Sequence, residues 1–297
     1  MRTQRYIQSA LLTVCLTVGS GCAGANGELS DETTLTDEKA NPYAFNRSVA
    51  LTLLRTQQPA EALRVVRRLV DLDSESPEPY YIAGRAHVDL RQFKLAERSL
   101  REALRRKPDY AEAHSMFGVL LDMLERHDEA RLSHRRALKV APEKAEFHNN
   151  LGFHYFLCKQ YDKAAKAYEA ALERDPASRR THNNLGFTYG RLGRIELALR
   201  HFQFAGPPAQ ATNNLGVVFE ERGELERAFD AYVAACRIDP RLVPSRANLA
   251  RVGERLGRAL PELPTSHEPE RAPEDPTAAE AISLSVPTEP ASTEVEQ

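Results

Sequence analysis

Nine histidines and four cysteines are the residues of this chain with the most obvious chemistry, and metal ligation is the first chemistry they suggest. Three of the histidines, His114, His148 and His182, recur every 34 residues. A zinc-like ion needs each nitrogen ligand within about 2.1 Å, whereas helices stacked on one another lie about 8–10 Å apart. Equivalent histidines on successive rungs of a stack therefore cannot share an ion. His148 and His154 are six residues apart, so on one helix they face different ways. Neither a metal nor a cofactor is expected. Cys158 and Cys236 fall in different helices two units apart, beyond disulfide reach, and are expected to be buried thiols. No glycine-rich phosphate loop and no nucleophile motif occurs, so nothing marks the chain as an enzyme.

Side-chain amides are the remaining candidates. Asn149-Asn150-Leu151-Gly152 returns as Asn183-Asn184-Leu185-Gly186 and as Asn213-Asn214-Leu215-Gly216. With Asn248, the second asparagine of each pair makes a series of four: Asn150, Asn184, Asn214 and Asn248. An amide both donates and accepts, so a ladder of amides can pair with the backbone of an extended peptide whatever its sequence. The other reading is that the asparagines help neighbouring helices pair. Helical spacing adds Met116, Phe153, Phe187 and Arg191 to the same wall. On that wall, truncating the amides is expected to cost little stability.

The elements that would position these residues follow from the repeat itself. Counting each unit from Tyr43, Pro77, Ala111, Ala145, Arg179 and Ala209, place eight is Gly84, Gly118, Gly152, Gly186 and Gly216. Place twenty is Ala62, Ala96, Ala130, Ala164, Ala198 and Ala228. Place twenty-seven is mostly Ala, and place thirty-two is Pro108, Pro142, Pro176 and Pro240. Small residues at fixed places let two helices approach closely, apolar residues three and four away supply each stripe, and the proline ends the second helix. The unit is helix, turn, helix. The fifth unit is four residues short, with Ala205-Gly206-Pro207-Pro208-Ala209 in place of its last turn. A half unit, Val243 to Arg258, carries Leu249, Val252 and Leu256 on one face and ends at Gly257, as a capping helix should.

These places resemble the tetratricopeptide repeat (TPR) from about residue 43 to 258. The favoured tryptophan at place four is replaced by Tyr80, His114, His148 and His182. The resemblance implies an all-α, right-handed superhelical solenoid of six repeats and a capping helix. Its concave groove would be lined by places two, six, nine and thirteen of each first helix. The clamp for C-terminal carboxylates found in chaperone adaptors is not reproduced.

At the amino end, Arg2 and Arg5 precede an apolar run from Ile7 to Val18 and then Gly19-Ser20-Gly21-Cys22. A run of about 12 residues is too short to span a bilayer and suits an export signal. The segment resembles a bacterial lipoprotein signal, which makes 1–21 the signal peptide and Cys22 the lipidated residue. Ala23 after the cysteine implies an outer-membrane destination facing the periplasm. An ordinary secretory signal cut after Ala23-Gly24-Ala25 is the alternative, and Cys15 leaves with either signal. Residues 22–42 read as an acidic tether.

Residues 259–297 form a Pro/Glu-rich tail expected to be disordered. From Pro261 on, the tail holds nine acids against Arg271 and carries −8. The first 42 residues carry −2 and the whole chain −2, which leaves +8 for the residues between. Arg98, Arg101, Arg105 and other arginines of second helices either form a solvated convex face or meet an acidic partner or the tail. No nucleic-acid reading motif is present.

The chain as a whole is similar to TPR lipoproteins of pilus assembly, of the TadD and PilF/PilW types. That resemblance implies a non-enzymatic envelope scaffold with protein or peptide partners and a lipid anchor in the membrane. The alternative is a periplasmic adaptor that docks cell-wall or envelope enzymes.

Overall fold

The computed structural model describes residues 41–264. Cys22, the acidic tether up to residue 40 and nearly all of the Pro/Glu-rich tail lie outside the described residues; the last tether residues, Asn41 and Pro42, instead cap and open the first helix. Thirteen helices run through them: α1 Pro42–Arg55, α2 Pro59–Leu72, α3 Glu78–Asp89, α4 Phe93–Arg106, α5 Ala111–Met123, α6 His127–Val140 and α7 Ala145–Leu157, then α8 Tyr161–Arg174, α9 Arg179–Arg191, α10 Ile195–Ala205, α11 Pro208–Glu221, α12 Leu225–Ile238 and α13 Val243–Leu256. Each helix packs on the next, and each odd-numbered helix also packs on the following odd-numbered one. No pair of even-numbered helices packs comparably. The odd helices are therefore the inner, concave layer of an all-α solenoid, and the even helices are the outer layer.

The repeating places explain this architecture in detail. All six place-twenty alanines are fully buried, because the helices of a unit cross there with no room for a larger side chain. A Cβ on Gly84, Gly118, Gly152, Gly186 or Gly216 would come within 2.6–2.7 Å of Leu100, His134, Tyr168, Phe202 or Tyr232 respectively. Each of these side chains lies 16 residues after its glycine, so place twenty-four supplies a knob and place eight the hole. Tyr168, Phe202 and Tyr232 are buried to within 1 %.

Place fifteen closes the turn inside every unit with a left-handed residue: Gln57, Arg91, Glu125, Lys159, Gly193 and Gly223, with φ between 56° and 81°. The next residue donates its N–H to the carbonyl five back, as Gln160 does to Tyr155 at 2.8 Å. This tightens the helix end into a Schellman-type turn. Glycine meets that backbone requirement freely at 193 and 223; the other four units adopt it with ordinary side chains.

The residue before each place-thirty-two proline (Lys107, Ala141, Asp175, Asp239) is swung out of helical conformation, with φ between −134° and −139°. This is the steric consequence of the following ring. In the shortened unit, α10 has 11 residues against 14 in α8 and ends at Gly206. Arg179 donates to the Ala205 carbonyl at 2.6 Å, which closes that helix onto α9. On α13, Leu249 and Val252 are buried and Leu256 packs beside them, capping the stack against Phe229, Tyr232 and Cys236 of α12. Gly257 ends α13 with φ 63°.

Candidate functional site

The inner wall is where a TPR stack would hold a partner, and the structure redistributes the residues expected there. Phe187 is 6 % exposed and packs edge-on against Phe202 at 4.9 Å. It belongs to the core rather than to the groove. Phe153 packs on the same core cluster and is only partly buried, as is Met116 beside Val88, Leu100 and Leu120. Arg191 is bound to Glu221 at 3.0 Å, and the Glu221 side chain is 4 % exposed. Burial pushes the Glu221 carboxyl up while Arg191 opposes the shift, so the pair fastens α9 to α11.

The asparagines form a ladder, but it runs between helices. Asn150 Nδ2 donates to Ser115 Oγ at 3.0 Å, and Asn184 Nδ2 to Asn149 Oδ1 at 3.1 Å. Asn214 Nδ2 donates to Asn183 Oδ1 at 2.8 Å, and Asn248 Nδ2 to Asn213 Oδ1 at 3.1 Å. In every case place six of one unit donates to place five of the unit before. The bonds span 35 residues except across the shortened unit, where the span is 31. The four missing residues are thus absorbed in the outer layer and the register of the inner helices is kept. Asn149, Asn184 and Asn213 are buried. The expectation that these amides carry little structural duty is corrected: place six reaches the neighbouring inner helix, and Asn184 is buried against it, while Asn150, Asn214 and Asn248 keep part of their surface open.

The recurring histidines are likewise structural. His114, His148 and His182 place Nε2 at 2.8, 2.7 and 3.0 Å from the carbonyls of Pro108, Pro142 and Pro176. The ring at place four therefore donates to the proline carbonyl six residues earlier. Tyr80 at the same place reaches the Ser74 carbonyl at 3.4 Å. His182 also meets His201, Nδ1 to Nδ1 at 2.9 Å. Burial and the neighbouring His182 push His201 down to about 4.

A second histidine group lies off the repeat pattern and was invisible to it. At the end of α5 the buried Asp122 carboxylate accepts from three rings. His154 Nδ1 lies 2.8 Å and His127 Nδ1 3.1 Å from Oδ1, and His134 Nε2 lies 3.0 Å from Oδ2. Burial raises the Asp122 carboxyl, but the hydrogen bonds of His134 and His154 outweigh it and bring the group down to about 2. Burial lowers His134, so this ring is neutral and donates through Nε2–H. Its Nδ1, which has no partner, is then a bare lone pair rather than a stranded N–H. Its members share no place of the repeat and come from three helices, so no repeat position marks the cluster in the sequence.

The open part of the concave face is a cleft of about 590 Å³. Arg47 and Arg55 of α1, Arg85 of α3 and Arg180 of α9 line it, with Glu146 of α7 and Asp175 of the α8–α9 turn. The first unit and the fifth thus share one cleft, because the curved stack brings them to its two sides. Arg47 is paired with Glu78 at 2.6 Å. With Arg47 matched by Glu78, the other three guanidiniums against two lining carboxylates leave the opening cationic. Among the described residues, no helix is long and apolar enough to cross a membrane.

No curated protein matches the sequence significantly. Family models described as tetratricopeptide repeat match residues 145–178 and residues 81–134 and 184–242. Among solved structures, PilW, titled a widely conserved type IV pilus biogenesis factor, has a TM-score of 0.60 at 19 % identity, over 70 % of this chain and 99 % of that one. Pseudomonas aeruginosa PilF has a TM-score of 0.55 at 17 % identity, over 72 % of this chain and 98 % of that one. A chain of an APC/C hetero-tetramer has a TM-score of 0.61 at 16 % identity, over 76 % of this chain and 46 % of that one. At these identities the likeness is one of fold. With six place-matched units, paired helices throughout and these family matches, the chain is an all-α solenoid of tetratricopeptide repeats, a protein-interaction scaffold.

Proposed function

We propose that this scaffold is a non-enzymatic envelope lipoprotein, anchored through Cys22, that assists assembly of a pilus or secretion machine by holding a partner segment in its concave cleft. The observation that carries the reading is the cleft itself: Arg47, Arg55, Arg85 and Arg180 converge there from three inner helices. Convergent guanidiniums on rigid helices suit a carboxylate-bearing extended segment, which Arg55, Arg85 and Arg180 can grip bidentately while Arg47 is held by Glu78. The likeness of fold to PilW and PilF supports the pilus setting. Because the ladder amides are engaged, specificity rests on the arginines, with Phe153 and Met116 offering partly exposed apolar surface.

The test is capture from envelope extract by three proteins: wild type, Arg55→Ala/Arg85→Ala/Arg180→Ala in the cleft, and Arg98→Ala/Arg101→Ala/Arg105→Ala on the outer helix α4. The cleft variant should lose roughly 1–3 kcal/mol of affinity per charge-assisted contact, with its melting temperature unchanged. Loss of the partner only in the outer variant would mean that binding is convex and electrostatic. Anchoring is tested separately. Cys22→Ser should move the protein from the membrane to the soluble fraction. A wild-type N-terminus at Asn26 without lipid would overturn the anchor.

A further inference from the structure

We propose that His127, His154 and Cys158 form a binding site for a zinc-class d10 cation, with Asp122 as the carboxylate that orients the two imidazoles. One ligand atom from each of the three residues lies within 4.8 Å of the other two. Cys158 Sγ is 3.9 Å from His154 Nε2. Tetrahedral ligands at about 2.0–2.3 Å from zinc sit roughly 3.3–3.8 Å apart, a separation that the Cys158–His154 pair already approaches.

The tautomers favour it. Asp122 Oδ1 accepts from Nδ1 of both His127 and His154. Each ring therefore carries its proton on Nδ1 and keeps the Nε2 lone pair for a metal. This is the carboxylate–histidine–metal relay that fixes ring orientation and raises ligand basicity. The buried triplet Asp122, His134 and His154 is a poorer candidate, because N–H···O bonds already fill it and the enclosed carboxylate is spent as an acceptor.

Cys158 and His127 are half-exposed, so a fourth position faces solvent and can take water or a side chain of a partner. Cys158 would bind as the thiolate, so the cation displaces its proton: M²⁺ plus Cys–SH gives the metal thiolate and H⁺. His127 opens α6 of the third unit and Cys158 caps α7 of the fourth. An ion there would staple the two middle units together.

The experiment uses the full chain, stripped with chelator and kept reduced by a phosphine, and titrated with Co²⁺ and then with Zn²⁺ in competition. The expected result is one Co²⁺ per chain, with visible bands of tetrahedral intensity and a near-ultraviolet thiolate-to-cobalt charge-transfer band, both erased by Zn²⁺. Cys158→Ala should abolish the charge-transfer band, and His127→Ala should weaken binding at least about tenfold. Zn²⁺ should raise the melting temperature of the wild type and leave that of Cys158→Ala where it was. Both variants alter half-exposed positions at helix ends, and their helicity is checked by circular dichroism. A charge-transfer band that survives Cys158→Ala would assign the metal to another cysteine and overturn the site. So would no band at all, or affinity unchanged in folded His127→Ala.

Discussion

Gly152→Val is expected to lower stability more than any surface change in this protein and to broaden or split its unfolding transition. A Cβ at Gly152 would sit 2.7 Å from Tyr168 Cδ1 and 2.8 Å from Cε1, and Tyr168 has no exposed surface into which to retreat. Overpacking of this kind costs about 1–3 kcal/mol, and valine adds two more methyl groups to the collision. The lesion lies in the fourth of six units, and units stabilise one another only through neighbours. It should therefore uncouple the two ends of the stack rather than shift a single transition. Thermal and urea unfolding followed by circular dichroism checks this. An unchanged, cooperative transition would show that the helices separate there at little cost.

Asn149→Ala is expected to cost about 1–3 kcal/mol, more than Asn150→Ala next to it. Asn149 Oδ1 accepts from Asn184 Nδ2 at 3.1 Å and from Thr181 Oγ1 at 3.3 Å. Asn184 and Thr181 are 5 % and 2 % exposed, so the donors that lose their acceptor are shut away from water. The hydroxyl of Thr181 can turn to Ser178 Oγ at 2.9 Å, which leaves most of the penalty on the Asn184 amide. Asn150 is half-buried and its loss removes one donor from Ser115, a hydroxyl that can turn to another partner, rather than stranding a buried amide. Melting temperatures left at the wild-type value in both variants would sink the idea that the ladder is an inter-unit fastener. Asn184→Ala removes a buried amide of the same ladder and therefore disturbs the fold before it reports on any partner.

Much of the architecture was legible in the sequence because it depends on spacing alone. Alanine at place twenty, glycine at place eight and proline at place thirty-two each mark a local steric requirement that recurs wherever the unit recurs. Gly257 marked the end of α13 for the same reason: a left-handed residue there needs no distant partner. The shortened fifth unit was visible as a deletion. That it spares the inner register followed only from the bond between Asn214 and Asn183.

What the sequence by itself determined is therefore the repeat: six helical pairs, their close contacts, their turns and the cap. The tertiary structure alone decided which way places five, six and nine turn. Helical periodicity gives an angle around one helix, but the direction of the next unit depends on how two curved layers pack. That is why Phe187 and Asn184 went to the interior while the arginines of units one, two and five met across one cleft. It is also why Asp122, His127, His134, His154 and Cys158, drawn from three helices of two units and obeying no common period, became neighbours only on folding.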